Sequence, residues 1–469
     1  MEDVDSAVAF SPDAGRFAFV RGIPHTGSAL VIANADGTEE RTLAYRQGLN
    51  GFDQAAGAWS PDGRTIAAVA GDESSRVAIV AVNAVTGAVA PVGPKRWDEV
   101  QKIVWLRSGS ALIDAASDYG VADTLQLWEV SFPAGAVRRI TKDIAGYSCV
   151  SLTAAGRSLL ALRSEWRGTL WVAPAVQPDR VARIASVPNT VVAHPVRWTA
   201  DGRILYIANV SGNRDIWEVR PDGSDLRKLT TSPGVDYHAS EAPDNRHIVF
   251  VSDRDGRVRI WRMDPDGGRQ MPLTNGPFDA FPVVAADSRS VYYVHYEQPY
   301  TPMYAVPIEG GEPTLLSGPR SVKPAGIGAG VPSGFAPQSL SPDGRLIVGQ
   351  YFDEQQGRSR IAVVPVDGSG VIRKLDVMMP SLRFRESLFA WAPAWAPDGR
   401  AVTFIKTTEG STNLWRQPLD GGPATRLTNY ATGDNIVSHA WSHDGKWLAL
   451  VRGTAETNVV IMRDVGPDR

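Results

Sequence analysis

The sequence predicts an all-β protein built from repeated units of four antiparallel strands, and three observations indicate this fold class. A short phrase recurs ten times along the 469 residues, most clearly as WSPDGR at 59–64, WAPDGR at 395–400 and WSHDGK at 441–446. Successive copies stand 43 to 56 residues apart, the length of one β-propeller blade. Runs of β-branched and aromatic residues follow the copies, and no stretch shows a sustained helical period. We therefore expect a β-propeller of about ten four-stranded antiparallel blades, with two packed smaller propellers as the alternative.

The elements of one unit follow each other in a fixed order. The phrase ends the first, innermost strand and forms a turn, and a second strand such as 204–210 (ILYIANV) comes next. A third strand such as 215–219 (DIWEV), an Asp-Gly turn such as 221–224 and a fourth strand such as 226–231 (LRKLTT) complete the unit. Asp-Gly turns supply the positive φ angles of tight hairpins, so each unit is expected to be a meander.

The residues of the phrase itself favour a structural role over a catalytic one. Their regular recurrence is what a repeated turn demands: Asp caps the turn, Gly takes the unusual φ, and Arg is able to pair with a neighbouring blade. We expect no activity from these residues.

The repeat array is expected to extend over residues 1–469, with one low-complexity segment inside it. This Gly- and Pro-rich segment, 317–338, lies between the seventh and eighth units and predicts a surface loop, with a hinge between two halves as the alternative. The last unit has predicted strands at 447–451 and 458–462 and then ends, so it lacks a fourth strand of its own. A three-stranded final blade and a fragment of a longer protein both fit this ending.

Composition excludes several classes of function. The net charge of −3 offers no basic field for nucleic acid, and a single cysteine excludes an internal disulfide framework. That cysteine, Cys149, lies in a predicted inner strand and is expected to be buried and inert. The chain has neither a signal peptide pattern nor an apolar run of about twenty residues, so no membrane segment is predicted.

The stretch 198–287, which includes SDRDGRVRIWRMDPDGG at 252–268, resembles the TolB-like propeller repeat almost letter by letter. That repeat occurs in TolB-like periplasmic proteins and in the propeller of the prolyl oligopeptidase family. It also occurs in the sensor regions of bacterial transmembrane serine/threonine kinases and winged-helix regulators. The resemblance implies a non-catalytic module for protein interaction or ligand sensing, part of a bacterial signalling or envelope protein in the periplasm or another extracytoplasmic space.

Motifs for catalysis are missing from the sequence. It contains no G-x-S-x-G, H-E-x-x-H, C-x-x-C or phosphate-loop pattern. We therefore expect no enzyme activity, no cofactor and no metal. The competing hypotheses are a lactonase- or lyase-like propeller enzyme with a metal at the channel mouth, and the propeller of a peptidase whose hydrolase domain is absent.

Candidate binding residues lie in the loops that vary between units, on the face opposite the phrase. Function is usually carried by such loops on a rigid scaffold. The predicted ligand- or partner-binding residues at the channel mouth are Asp53, Trp97, Asp98, Asp236, Tyr237, His238, Asp279, Arg383, Arg385, Asp434 and His439. A monomer that binds a protein or peptide, a small ligand or a glycan is expected. The alternative for the aspartates is that they cap local turns.

Overall fold

A computed structural model describes most of the chain, in two compact units. The described residues are 6–23, 26–53, 55, 57–71, 76–97, 99–118, 122–143, 145–153, 156, 158–187, 191, 194–210, 213–276, 278–295, 302–317, 335–353, 358–367, 373–378, 391–408, 410–431 and 435–463. Unit 1 comprises Met1–Glu165 and Ala455–Arg469, and unit 2 comprises Trp166–Thr454. The boundaries between the units fall inside two long strands, Ser158–Pro174 and Trp447–Arg463.

Unit 1 contains three complete four-stranded antiparallel sheets in its described part, with strands numbered in chain order. They are β1 (Ala9–Phe10), β2 (Arg16–Ile23), β3 (Gly27–Asn34) and β4 (Arg41–Gln47); β5 (Ala58–Trp59), β6 (Thr65–Gly71), β7 (Val77–Asn83) and β8 (Val89–Pro91); and β9 (Glu99–Trp105), β10 (Ala111–Asp118), β11 (Ala122–Ser131) and β12 (Val137–Arg139). A further blade begins with β13 (Gly146–Leu152), which pairs with the first part of β14 (Ser158–Pro174).

Unit 2 contains five complete four-stranded meanders in its described part. They are β16 (Arg197–Trp198), β17 (Ile204–Asn209), β18 (Arg214–Val219) and β19 (Arg227–Lys228); β20 (Asp236–Glu241), β21 (Ile248–Ser252), β22 (Arg259–Met263) and β23 (Met271–Pro272); β24 (Asp279–Val284), β25 (Ser290–His295), β26 (Met303–Pro307) and β27 (Thr314–Ser317); β28 (Ala336–Leu340), β29 (Leu346–Asp353), β30 (Arg358–Pro365) and β31 (Arg373–Met378); and β32 (Ala394–Trp395), β33 (Ala401–Thr408), β34 (Ser411–Pro418) and β35 (Thr425–Arg426).

The sixth sheet of unit 2 is assembled from both ends of the unit. Its strands are β36 (Asn435–Trp441), residues 447–454 of β37 (Trp447–Arg463), residues 166–174 of β14, and β15 (Ala182–Arg183), in that order. Thr169 Oγ1 donates to the carbonyl of Arg452 at 3.1 Å and ties the two halves together. Such a composite sheet removes exposed edges where the ring closes.

The inner strands of unit 2 form a closed circuit. β16, β20, β24, β28, β32 and β36 contact one another in that order, and β36 contacts β16 again. Trp198 Nε1 donates to the carbonyl of Ala440 at 3.0 Å, and the amide of Val196 donates to Ser438 Oγ at 2.9 Å. Unit 2 is therefore a ring of six sheets around a central axis.

The second strand of each sheet supplies the core, because neighbouring sheets cover both of its faces. All residues of β17 and β21 are buried. A recurring threonine just after the fourth strand holds the outer edge of the sheet: Thr230, Thr274 and Thr428 each accept the amide of the residue fourteen positions earlier, at 2.9–3.1 Å. The L-T pair of the repeat thus has a structural role.

The structure confirms the all-β class and the antiparallel four-stranded sheets, and it does not confirm the blade count. Nine sheets are present among the described residues, and the inner strands of six of them form a closed ring. The described residues divide into two compact units, whereas one ring of about ten blades was expected. The strands predicted separately at 447–451 and 458–462 are one continuous strand, β37. Their link, RGTAET, lacks the Asn-Gly or Asp-Gly pair that would turn the chain. Of the predicted loop 317–338, residues 318–334 lie outside the described residues.

Candidate functional site

Hydrogen bonds within the blades occupy the residues of the repeated phrase. Ser60 Oγ donates to Asp62 Oδ1 at 2.6 Å and accepts the amide of Thr65 at 3.0 Å, while the amide of Arg64 donates to Asp62. The hydrogen bond from Ser60, followed by that from Arg64, lowers the pKa of Asp62. The same arrangement recurs at Ser11, Thr199, Ser341 and Ser442. In these described copies the Asp and the Ser or Thr of the phrase are therefore engaged in hydrogen bonds that stabilise the turn.

In unit 1 the two predicted site residues that the structure describes, Asp53 and Trp97, are each engaged by nearby residues of the fold. Asp53 is exposed, and its Oδ1 accepts the amide of Ala55 at 3.0 Å, as a turn cap does. Trp97 is only 1% exposed and packs edge-on against Trp128, with 4.9 Å between ring centroids. Such a ring offers no surface to a partner in this conformation. Asp98, Arg383, Arg385 and Asp434 lie outside the described residues.

In unit 2 the two predicted binding aspartates that the structure describes, Asp236 and Asp279, are engaged by nearby residues. Arg254 Nη2 donates to Asp236 Oδ1 at 2.8 Å, and burial, opposed by Arg254, raises the pKa of Asp236. His295 Nδ1 lies 2.6 Å from Asp279 Oδ1, and the amide of Gly276 donates to Asp279 Oδ2 at 3.1 Å. Both carboxylates stand at the first residue of an inner strand and are engaged there, as expected if they stabilise local turns.

Two predicted residues, Tyr237 and His238, take part in an aromatic cluster. The ring of His238 lies 5.0 Å from Phe281, 5.6 Å from Tyr237 and 5.7 Å from His194. All four side chains are buried. His439 reaches the same region from β36, where its Nε2 lies 2.8 Å from Thr403 Oγ1.

A bulge in the inner strands aims side chains into the ring. The pairing register of β20 shifts between Tyr237 and Ser240, and that of β24 shifts between Ala280 and Val283. The bulged residues His238 and Phe281 have φ of 53° and 57°, a conformation that non-glycine residues adopt rarely. Bulges often occur beside binding sites, where they redirect a side chain. Cys149 occupies the same repeat position in unit 1 with φ of 51°, and it is exposed, contrary to the expectation of a buried thiol.

The same repeat position from four successive blades lines a narrow crevice at the centre of unit 2. Pro195, His238, Phe281 and Pro337 each stand six residues before the fourth residue of their phrase, and all four line the crevice. Arg197, Ser240 and Gln338 complete the polar part of the lining. We call this site the central crevice; it admits a group about the size of a water molecule or one small functional group.

Arg197 crosses the ring inside the central crevice. Its Nη1 donates to the carbonyl of Val196 at 3.1 Å, and its Nη2 donates to the carbonyl of Gln338 at 2.7 Å, three blades away. Burial lowers the pKa of Arg197 to about 10, so the side chain is still a cation at neutral pH. Burial, and secondarily the charge of Arg197, lowers the pKa of both His238 and His439 to about 3. The central crevice therefore combines one positive charge with the neutral imidazole of His238.

This electrostatic pattern suits binding better than metal coordination. Among the described residues, no three His, Cys, Asp or Glu side chains come together as metal ligands. A divalent cation on His238 or His439 would also be repelled by the guanidinium that lowers their pKa. What the central crevice offers a ligand is a cation, a hydroxyl and an apolar wall of proline and phenylalanine.

Sequence reasoning selected His238 but missed Arg197, Ser240, Phe281 and Gln338, which also line the central crevice. The missing signal is the repeat itself, because these residues lie four to six positions before the fourth residue of their phrase. Aligning the ten copies upstream of the phrase would have placed them together. The direction of Arg197 across the ring depends on closure between β16 and β36, which no local pattern encodes.

Comparison with known proteins shows which propellers this repeat is similar to. Residues 169–392 match the model of the TolB beta propeller domain. A protein TolB homolog of Chlorobium luteolum is 29% identical over 122 residues, which are 25% of this chain and 27% of that protein. The matched region thus spans about a quarter of the length of this curated relative.

Two solved structures show similarity at lower identity. The putative TolB from Agrobacterium tumefaciens is 20% identical with a TM-score of 0.46, over 62% of this chain and 99% of that one. An oligogalacturonate lyase in complex with manganese is 13% identical with a TM-score of 0.34, over 86% of this chain and 96% of that one. No helix in the described part of the chain is long and apolar enough to cross a membrane. The domain match and the repeat together identify residues 169–392 as a TolB-like β-propeller region.

Proposed function

We propose that this chain is a non-catalytic binding module that recognises a protein or peptide partner at the central crevice. The observation that carries the proposal is the convergence of Arg197, His238 and Ser240 where blades meet, while hydrogen bonds within and between the blades occupy the repeated Asp, Ser and Trp residues. Polar side chains that converge in a concave site on a rigid scaffold are typical of recognition.

The setting that fits this role is a bacterial signalling or envelope protein in the periplasm or another extracytoplasmic space. The matched relative carries the name TolB homolog, and its repeat is shared with this chain. A monomer is sufficient for the proposed role, because all the lining residues come from unit 2. Small ligands and glycans are the other occupants that the experiment below separates from proteins.

The test uses two tryptophan substitutions in the same blade. Ser240→Trp fills the central crevice, while the matched control Arg246→Trp changes an exposed residue of the phrase turn. Affinity chromatography of the source organism's envelope fraction on the full-length protein should retain a partner with the parent chain and with Arg246→Trp. That partner should be lost with Ser240→Trp. Equal retention by both variants would overturn the assignment of the crevice.

The competing proposal is a propeller enzyme with a metal at the channel mouth. The similarity to an oligogalacturonate lyase in complex with manganese is the observation behind this alternative. Elemental analysis of full-length protein purified without chelators separates the two. We expect less than stoichiometric divalent metal; one tightly bound ion per chain would replace the non-catalytic proposal with the enzymatic one.

A further inference from the structure

We propose that the central crevice recognises a carboxylate group of its peptide partner, held by the guanidinium of Arg197. This inference rests on the proposed function, since it names the chemical group that the same crevice binds. The lining contains one cation and no acidic side chain. A site of that charge selects an anion.

The hydrogen bonds of Arg197 leave its charge without a counterion. A guanidinium has five N–H donors, and the two that Arg197 gives to the carbonyls of Val196 and Gln338 go to neutral acceptors. Within the described ranges no carboxylate forms an ion pair with Arg197. Other shielded arginines of unit 2 are paired: Arg203 with Asp201 and Asp225, Arg254 with Asp236, and Arg262 with Glu309.

The two carbonyl bonds orient the guanidinium while leaving donors for a ligand. They fix its plane from both sides of the ring, so little conformational freedom is left to lose when an anion binds. Burial of an unpaired cation is costly, and an anion in hydrogen-bond contact offsets that cost. His238 and His439 are neutral at physiological pH and do not compete with Arg197 for the anion. Arg197 is thus arranged for a ligand charge rather than for an internal partner.

The size and shape of the crevice favour a carboxylate over a larger oxyanion. A planar carboxylate matches the fork of a guanidinium with two parallel hydrogen bonds. Sulfate and phosphate carry more oxygens, and the walls formed by Pro195, Phe281 and Pro337 offer these oxygens no donors. One acidic side chain or one C-terminal carboxylate of a peptide fills the available space.

The probe is acetate, followed by the amide and guanidinium Nε–H resonances of the isotope-labelled full-length protein. At constant ionic strength, the resonances of 196–198 and 238–240 should shift saturably with acetate. Arg197→Met should weaken that binding on the order of 10-fold or more, and Arg197→Lys should retain part of it. Arg262→Met removes a paired arginine outside the lining and should leave the acetate response unchanged.

Several results would overturn the inference. The parent protein could show no saturable response to acetate, it could respond to sulfate alone, or Arg197→Met could bind acetate as the parent does. Thermal unfolding of each variant separates loss of binding from loss of fold, and the parent titration decides the matter even if Arg197→Met does not fold. Partner capture that Ser240→Trp abolishes and Arg197→Met leaves intact would retain the proposed function and refute the carboxylate.

Discussion

Trp198 closes the ring of unit 2, and replacing it with phenylalanine tests that closure. Its indole Nε1 donates to the carbonyl of Ala440, 242 residues away in β36, at 3.0 Å. Trp217, in the same blade, packs against the same apolar cluster. Its Nε1 is buried and has no hydrogen-bond partner among the described residues. The substitution Trp217→Phe is therefore a matched control that truncates a similar ring without removing a hydrogen bond.

The structure predicts a clear difference between the two variants. Trp198→Phe loses a buried hydrogen bond and withdraws a donor from a buried carbonyl, a cost of about 1–2 kcal/mol beyond the ring truncation. Trp217→Phe loses no hydrogen bond and removes an unsatisfied donor, so only the ring truncation should affect its stability.

Thermal unfolding followed by far-UV circular dichroism should place the midpoint of Trp198→Phe roughly 2–8 °C below that of Trp217→Phe, from about 2–4 °C per kcal/mol. Equal midpoints would show that the Trp198–Ala440 contact does not stabilise the closed ring.

Three further predictions concern buried groups. Asp114 is fully buried, its oxygens have no hydrogen-bond partner among the described residues, and desolvation raises its pKa well above the usual value. The folded protein therefore retains a proton there that the unfolded chain releases near pH 4, so stability is lost as pH rises above that value, by up to about 1.4 kcal/mol per pH unit. Urea titrations of the parent and Asp114→Asn at several pH values should show this extra fall in the parent only; parallel curves would contradict it. Burial raises the pKa of Glu241 to about 7, so its contribution to stability is present at low pH and lost as pH rises through 7, and Glu241→Gln should flatten the stability–pH curve in that range. Thr274→Val leaves the buried amide of Ile260 without its acceptor and should cost about 1–3 kcal/mol in urea unfolding, while Thr274→Ser should keep most of the stability.

The local order of strands follows from the sequence because each meander is encoded locally. The phrase, the Asp-Gly turn and the L-T pair lie within one unit of chain, and each proves to be held by short-range hydrogen bonds such as Ser60–Asp62 and Ile260–Thr274. The closing sheet is different, since Thr169 and Arg452 are 283 residues apart. No repeat pattern indicates that the two strands continue through the expected turns and pair with each other.

For the same reason, only one of the residues that line the central crevice was among the predicted binding residues. His238 was selected because polar and aromatic residues recur just before the inner strand. Its neighbours in the crevice, such as Arg197 and Gln338, are not among the residues selected with it. Asp236 is paired with Arg254, and Asp279 is paired with His295. Trp97 is packed against Trp128 in the core. Arg197 precedes a phrase tryptophan and looks like an ordinary rim residue in the sequence. Only the ring brings its guanidinium to the carbonyl of Gln338.

The most direct test of this account is a crystal structure of the full-length protein grown with sodium formate. We predict that Arg197 donates to the carbonyls of Val196 and Gln338 in the crystal. We also expect a formate ion on the remaining guanidinium N–H groups, against Pro195 and Phe281. An aspartate or glutamate of the chain itself paired with Arg197 would contradict it, because the charge would then be neutralised internally and no partner carboxylate would be needed.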